Sequence, residues 1–147
     1  MQHAPQGYDI APEPIIRVGT PKDAPFVSAI AGADAAEAMT RVTTLISDHG
    51  FFFLEPITGS VLEAHMAFDQ KGRGKECVDA ARAGLRYCFN ALGAVCVFGR
   101  IPVENRAARL LTRMIGFRSE GVRPHHPGGP DVEWFEMVAA DCPREGC

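Results

Sequence analysis

The sequence has no apolar run of membrane-spanning length and no excess of basic residues. Lysine and arginine together number 15, against 18 aspartate and glutamate residues, so the formal net charge is -3. A nucleic-acid-binding protein draws much of its affinity from a basic surface, and a membrane-spanning helix needs about 20 consecutive apolar residues. We therefore expect neither nucleic acid nor a membrane among the partners of this chain.

The N-terminal segment lacks the pattern of a secretion signal. Residues 1–14 contain three prolines and one glycine, but no basic region followed by an apolar stretch. Prolines and glycines at this density are typical of irregular backbone. We expect residues 1–14 to form an N-terminal arm of a cytoplasmic protein.

The cysteines do not fit a disulfide framework. There are five, an odd number, and three lie inside regular hydrophobic patterns (Cys77, Cys88 and Cys96). Small buried thiols in a reducing compartment explain this arrangement better than disulfide bonds do. Because 46% of the residues are hydrophobic, the chain can bury one core of its own. We predict a single domain over residues 15–141, followed by a C-terminal tail over residues 142–147.

Hydrophobic spacing predicts an α+β fold. Residues 34–47 are predicted to be helical because Ala35, Ala38, Val42 and Leu45 fall at three- and four-residue spacings. Residues 51–68 are typical of two strands around a turn, with Pro56 shortening or bulging the first strand. The other predicted elements are a strand at 15–18, a helix from residue 24, a helix at 74–92, a central strand at 94–101, a helix at 105–114, and strands at 116–122 and 132–139.

The turn DQKGRGKE joins the hairpin to the long helix at 74–92. It contains two glycines, which leave the backbone accessible, and three basic residues: Gly72, Gly74, Lys71, Arg73 and Lys75. The first N–H groups of a helix have no partner inside the helix and attract anions. The turn therefore suits a phosphate-bearing ligand, although a turn that only reverses the chain can have the same composition. It is not a Walker loop, because Asp69 and Glu76 replace the glycine and the serine or threonine of that motif.

The order of strand, turn, long helix, central strand and NRAARLLTRMIGF resembles the GNAT acyltransferase superfamily. The pyrophosphate loop of that family has arginine or glutamine, two variable residues, glycine, one variable residue, and glycine or alanine. Here Gly72 and Gly74 match, whereas Asp69 replaces the first residue of the pattern and Gln70 follows one place late.

Two further stretches add to the resemblance. Asn105, followed by a helix and then by Gly116 and Phe117, looks like the second signature of the family. The segment VFGRIPVENRAA and the strand motif Glu63-x-His65 are similar to a subgroup common in phage and proteobacterial genomes. The resemblance is good over residues 60–122 and poor over the N-terminal third.

The resemblance implies a twisted, mixed and mostly antiparallel sheet with helices on both faces, and acetyl-CoA as cosubstrate. The main chain near Met66 and Phe68 would pair with the pantetheine arm, and Asn105 would contact the cofactor as well as capping its helix. Final strands in this family often meet a partner subunit, so a homodimer is compatible with it. Backbone N–H groups of the turn would hold the pyrophosphate: Gln70, Lys71, Gly72, Arg73, Gly74 and Lys75.

Acyl transfer to an amine needs a deprotonated nucleophile, a polarised carbonyl and a proton for the departing thiolate. The two acids that family members use are missing, since Thr112 and Ala108 occupy their positions. Glu63 and His65 are the candidate catalytic base, because strand alternation puts both on one face just before the turn. The alternative is a pair of ordinary polar residues on a solvated face.

We predict an enzyme that transfers an acetyl group from acetyl-CoA to a primary amine by direct attack in a ternary complex, without a covalent intermediate. The competing hypothesis is a CoA-binding or assembly module with the same fold and little turnover, which the missing acids favour. The third hypothesis is a structural domain whose turn binds nothing.

His125 and His126 lack metal-ligand spacing, so we predict no metal site. A bulky side chain at Gly72 is expected to abolish cofactor binding and to spare folding. The acceptor would lie against residues 24–47 and 123–134, and the sequence does not identify it.

Overall fold

The computed structural model describes residues 15–144, so the predicted arm at 1–14 and residues 145–147 of the predicted tail lie outside the described residues. The strands are β1 (Arg17–Val18), β2 (Thr43–Ser47), β3 (Gly50–Thr58), β4 (Val61–Phe68), β5 (Cys96–Pro102), β6 (Arg118–Pro124) and β7 (Asp131–Val138). The α-helices are α1 (Ala24–Ala31), α2 (Lys75–Asn90) and α3 (Arg106–Met114). Short 3₁₀ helices cover Pro21–Asp23, Ala38–Thr40, Gln70–Gly72 and Ala139–Asp141. No helix within residues 15–144 is long and apolar enough to cross a membrane.

The described strands form one sheet in the order β1-β2-β3-β4-β5-β7-β6. Neighbouring strands are antiparallel except β4 and β5, which are parallel. Helix α2 connects β4 to β5, because parallel neighbours need a long crossover between them. The predicted α+β fold with a mixed, mostly antiparallel sheet is confirmed.

Helices cover both faces of the sheet, as predicted. On one face, α2 and α3 pack over the larger core, which includes Phe52, Val97 and Phe135. On the other face, α1 packs over a smaller core that includes Val27 and Phe51. Because successive side chains of a strand point to opposite faces, the neighbouring phenylalanines of β3 belong to different cores.

The predicted helix at 34–47 is wrong. This segment contains the 3₁₀ helix Ala38–Thr40 and then β2, which pairs with β1 on one side and with β3 on the other. The β2 residues are β-branched or apolar except Ser47, and all but Thr43 are buried, which suits an inner strand covered on both faces. Pairing with two neighbours outweighs the helical spacing, since spacing is a weak predictor where tertiary contacts compete.

The hairpin and the long helix follow the sequence predictions closely. β3 pairs with β4 on either side of Gly59, and the register shifts between Pro56 and Thr58, where the proline predicts an irregularity. α2 begins at Lys75 and ends at Asn90, two residues earlier than predicted. β5 lies between β4 and β7 and is central, as expected.

Candidate active site

A gap opens in the middle of the sheet between β4 and β5. These strands pair only between residues 61–63 and residues 96–98, whereas β3 stays paired with β4 as far as Phe68. Within the described part of the chain, no strand pairs with the β5 side of β4 beyond Glu63. The main chain of residues 64–67 therefore has an edge on which N–H and C=O groups can pair with a ligand, and Met66 lies on that edge.

The turn after β4 is built around Asp69 and His49. The Asp69 carboxylate accepts a hydrogen bond from the Gly72 N–H at 3.0 Å and lies 3.2 Å from Nδ1 of His49. The Asp69 N–H donates to the carbonyl oxygen of His49 at 2.8 Å. Loss of hydration alone would raise the pKa of Asp69, but the His49 ring and the Gly72 amide hold it below its usual value. Asp69, which differs from the GNAT loop pattern, thus stabilises the turn by a hydrogen bond within it.

Gly72 is required by the packing of this turn. It is buried, and a Cβ atom there would lie 2.4 Å from Cβ of His49. Its N–H is already bound to Asp69, so this group is not free to hold a pyrophosphate. The expectation that a bulky side chain at Gly72 would spare folding is wrong, because His49 occupies the space.

The start of α2 offers backbone donors for an anion. Gly74 precedes the helix at φ 87°. Within residues 15–144, no side chain caps this end and no neighbouring atom lies within 4 Å of where a Cβ would be. The N–H groups of Lys75, Glu76 and Cys77 have no acceptor within the helix, because they belong to its first turn. The positive end of the helix dipole and these N–H groups together favour a phosphate.

Basic side chains surround that helix end. Arg73 is exposed and donates to the carbonyl oxygen of Phe68 at 3.4 Å, which ties it to the end of β4. Lys75 pairs with Asp79 at 2.6 Å on the exposed face of α2. Gln70 and Lys71 are exposed in the 3₁₀ helix that leads to this point. The structure therefore brings the predicted turn residues to one helix terminus.

Asn105 and Thr112 are both engaged within α3. The Asn105 side chain caps the helix by accepting a hydrogen bond from the Ala108 N–H at 3.1 Å. Asn105 is exposed and its amide N–H groups are not used in this bond, so capping and cofactor contact are compatible. The buried Thr112 hydroxyl donates to the Ala108 carbonyl oxygen at 2.7 Å, which leaves it without a proton to give to a ligand.

Glu63 and His65 lie on one face of β4 in different surroundings. The Glu63 side chain is 3% exposed and accepts two hydrogen bonds at 2.8 Å from the Arg100 guanidinium on β5. These bonds raise the pKa of Arg100 further. The His65 side chain is 50% exposed, with Nε2 3.9 Å from Glu63 and 4.0 Å from Glu55. His65 is thus the accessible member of the pair, while Glu63 is a fixed buried charge.

The cluster of Glu55, Glu63 and His65 does not form a favourable metal site. Ligand atoms of Glu55, Glu63 and His65 lie within 4.8 Å of one another. However, both carboxylate oxygens of Glu63 bind Arg100, and a metal ion would have to replace that guanidinium. His125 and His126 are exposed in the loop between β6 and β7, with ring centroids 5.9 Å apart. The Glu55 and Glu63 carboxylates and the His65 ring form a polar cluster, and His65 faces solvent from it.

A cleft of about 520 Å³ lies beside His65 on the α1 face of the sheet. Residues of β3 and β4 form part of its lining, and the last residue of α1 together with the segment between α1 and β2 forms the rest. The residues that line it are Ala31, Ala38, Arg41, Val42, Phe51, Phe53, Glu55, His65, Met66 and Ala67. His65, Met66 and Ala67 lie on β4, so the strand that borders the gap also borders this cleft.

No family model matches the sequence, and no curated protein matches it either. Solved structures do match. A variant of the spermidine N-acetyltransferase SpeG from Vibrio cholerae is 16% identical, with a TM-score of 0.71 over 85% of this chain and 93% of that one. A putative phosphinothricin N-acetyltransferase gives 18% identity and a TM-score of 0.71, over 84% of this chain and 96% of that one.

A third match is the acetyltransferase (GNAT family) from Bacillus anthracis, at 19% identity and a TM-score of 0.67, over 85% of this chain and 94% of that one. The chain has the GNAT acetyltransferase fold. At these identities the likeness shows the fold alone. The activity has to be inferred from the residues that this GNAT fold brings together.

Sequence reasoning missed three residues that the GNAT fold places at the site: His49, Glu55 and Arg100. Arg100 could have been noticed, because an arginine in an otherwise apolar central strand needs a carboxylate partner. His49 and Glu55 carried no comparable signal. Their importance comes from the pairing of β3 with β4, which sets Glu55 opposite Glu63.

Proposed function

We propose that the chain is an acetyl-CoA-dependent N-acetyltransferase acting on a primary amine. The observation that carries this proposal is the gap between β4 and β5, which leads directly to the uncapped start of α2. One elongated ligand with an amide-bearing arm and a pyrophosphate fits both features. Two of the solved structures that match are named as a spermidine N-acetyltransferase and a putative phosphinothricin N-acetyltransferase, which supports the same class of reaction here.

In this proposal the pantetheine arm pairs with the main chain at Met66 and Phe68, and the pyrophosphate lies at Arg73, Gly74 and Lys75. Gln70, Lys71 and Gly72 hold the turn in shape beside it, and Asn105 contacts the cofactor from the start of α3. We also propose that the chain belongs to the phage and proteobacterial subgroup, because its segment VFGRIPVENRAA is similar to that subgroup.

His65 and Glu63 take the catalytic roles. His65 faces the cleft and its ring is half exposed, so an imidazole nitrogen is placed to accept the proton of the attacking amine. Glu63 is held by Arg100 with a carboxylate oxygen 3.9 Å from Nε2 of His65, so it positions that ring. Acetyl-CoA supplies a thioester whose thiolate leaves without a covalent enzyme intermediate.

A second candidate is a CoA-binding module with little or no turnover. The Thr112 hydroxyl is committed to the Ala108 carbonyl oxygen within α3, so no side chain at that position protonates the departing thiolate. A thiolate is a better leaving group than an alkoxide. The missing acid is therefore compatible with a slow enzyme as well as with an inactive one.

Calorimetric titration with acetyl-CoA tests the cofactor site. The Arg73→Glu, Lys75→Glu variant reverses two charges at the start of α2 and is expected to weaken binding by at least about tenfold. Lys22→Glu, at an exposed lysine of the 3₁₀ helix Pro21–Asp23, is the matched control and should bind as the wild type does. Equal affinity of all three proteins would refute the anion site.

Release of free CoA thiol in the presence of amines tests turnover. His65→Gln is expected to lower kcat by about 10²-fold or more, the usual contribution of a general base, without changing the affinity for acetyl-CoA. An unchanged kcat in this variant would remove His65 from the mechanism. Tight binding of acetyl-CoA by a wild type that acetylates no amine would favour the module.

A further inference from the structure

The cleft beside His65 is apolar over most of its lining. Seven of its lining residues are apolar: Ala31, Ala38, Val42, Phe51, Phe53, Met66 and Ala67. The charged or titratable side chains in the lining are Arg41, Glu55 and His65. A ligand that fills this space and reaches His65 therefore needs a mostly apolar body.

Glu55 is the carboxylate available to a cation in this cleft. Its side chain is 51% exposed, and its carboxylate lies 4.0 Å from Nε2 of His65. Glu63, by contrast, is buried and bound at both oxygens by Arg100. A protonated amine entering the cleft thus finds Glu55 as its partner, with His65 next to it.

Arg41 limits what the rest of the ligand can carry. Arg41 pairs with Glu37 at 3.5 Å. Among the described residues, Glu55 is the one carboxylate in the cleft lining. A second ammonium group would therefore face apolar side chains and a guanidinium. A carboxylate on the ligand would compete with Glu37 for Arg41 and would lose its hydration against the apolar side chains that form most of the lining.

We propose, resting on the function proposed above, that the acceptor is a primary monoamine carried on an uncharged, apolar body. The ammonium group pairs with Glu55, and one of its protons passes to His65. The amine nitrogen then attacks the thioester carbonyl and forms the C–N bond, and the C–S bond breaks. The departing thiolate takes up the second proton that the nitrogen loses, which gives the amide and free CoA thiol. The apolar body lies against Val42, Phe51 and Phe53.

An amine panel with acetyl-CoA tests this acceptor class. Ethylamine, hexylamine and phenethylamine differ in apolar body at constant charge, while spermidine adds cationic groups and phosphinothricin adds acidic ones. The expected kcat/KM for hexylamine and phenethylamine exceeds that of the other three by about tenfold or more, since each methylene in an apolar pocket contributes severalfold or more.

Two variants, each with a matched control, locate the effect in the cleft. Val42→Asp puts a charge into the apolar lining and should lower kcat/KM for hexylamine about tenfold, whereas Val122→Asp, at an exposed valine of β6, should not. Glu55→Gln should raise the KM for hexylamine about tenfold, whereas Glu104→Gln, at an exposed glutamate before α3, should not.

The outcomes separate this inference from the proposed function. Acetylation of spermidine or phosphinothricin in preference to hexylamine, or no effect of Val42→Asp, overturns the apolar acceptor and leaves the enzyme standing. Binding of acetyl-CoA without acetylation of any amine in the panel overturns both. Calorimetric binding of hexylamine without acetyl-CoA, lost in Val42→Asp, would support the cleft independently of turnover.

Discussion

The His49 ring and the Asp69 carboxylate meet at 3.2 Å, and the same carboxylate binds the Gly72 N–H. The two contacts join the end of the β2–β3 turn to the turn that precedes α2. The backbone of that second turn is therefore positioned by a side chain from another hairpin.

Removing this carboxylate is expected to weaken cofactor binding. Asp69→Ala frees the Gly72 N–H and the His49 ring, so the turn loses its fixed shape before α2. We expect the affinity for acetyl-CoA to fall roughly tenfold, the effect of losing one hydrogen bond to a charged group. Calorimetry measures this, and Asp69→Asn, which keeps an acceptor for Gly72, should lose less. Identical affinities for the three proteins would contradict the role of Asp69.

The Glu63–Arg100 pair is expected to stabilise the fold as well as the site. Arg100→Met leaves the buried Glu63 carboxylate without its partner, so we expect the free energy of unfolding to fall by about 3 kcal/mol. Urea denaturation measures it. Adding Glu63→Gln to Arg100→Met removes the uncompensated charge and should recover part of the loss. A double variant less stable than Arg100→Met alone would argue against a direct interaction.

Asp23 gives the fold an acid-sensitive contact near the N-terminal edge. The Arg17 guanidinium and the Thr20 N–H bind its carboxylate and lower the pKa of Asp23 to about 2. A carboxylate whose pKa is depressed by folding stabilises the fold above its unfolded pKa of about 3.8, and this contribution disappears as the pH falls towards 2.

Arg17 is 58% exposed, so solvent screening reduces the contribution to about 1 kcal/mol. Asp23→Asn should lower stability by that amount at pH 7 and by less at pH 2.5. Thermal unfolding at several pH values checks this. A constant difference between the two proteins across that range would contradict the pair.

The buried thiols are expected to be unreactive. Burial raises the pKa of Cys77 to about 11 and of Cys88 to about 12, so the nucleophilic thiolate is scarce at pH 8. Iodoacetamide should spare both in the native protein and modify both in denaturant, as read by mass spectrometry. Rapid modification of native Cys77, in the first turn of α2, would reopen the question of a covalent intermediate.

Local patterns predicted the elements whose sequence signal lies within one segment. The hairpin from Gly50 to Phe68 and the helix α2 have clear alternation or helical spacing, and Asn105 is a good capping residue in any context. β2 was missed because its helical spacing is a property of one segment, whereas its strand pairing depends on β1 and β3.

The candidate site divides in the same way. Glu63, His65 and the glycine-rich turn were found because they are close together in the sequence. Arg100 lies 37 positions after Glu63, and His49 reaches the turn from the preceding hairpin. No local spacing connects these partners, so only the fold reveals that Glu63 is held and that Gly72 packs on His49.

The gap between β4 and β5 also affects how the two halves of the sheet are held together. β1 to β4 form one half of the sheet, and β5 to β7 form the other, with a short parallel contact between them. The Glu63–Arg100 ion pair crosses from one half to the other where that contact ends. The two halves are thus joined by the short β4–β5 contact and by this ion pair. A ligand that pairs with β4 inside the gap takes the place of missing strand contacts. Ligand binding should therefore stabilise the packing of the two halves of the sheet against each other.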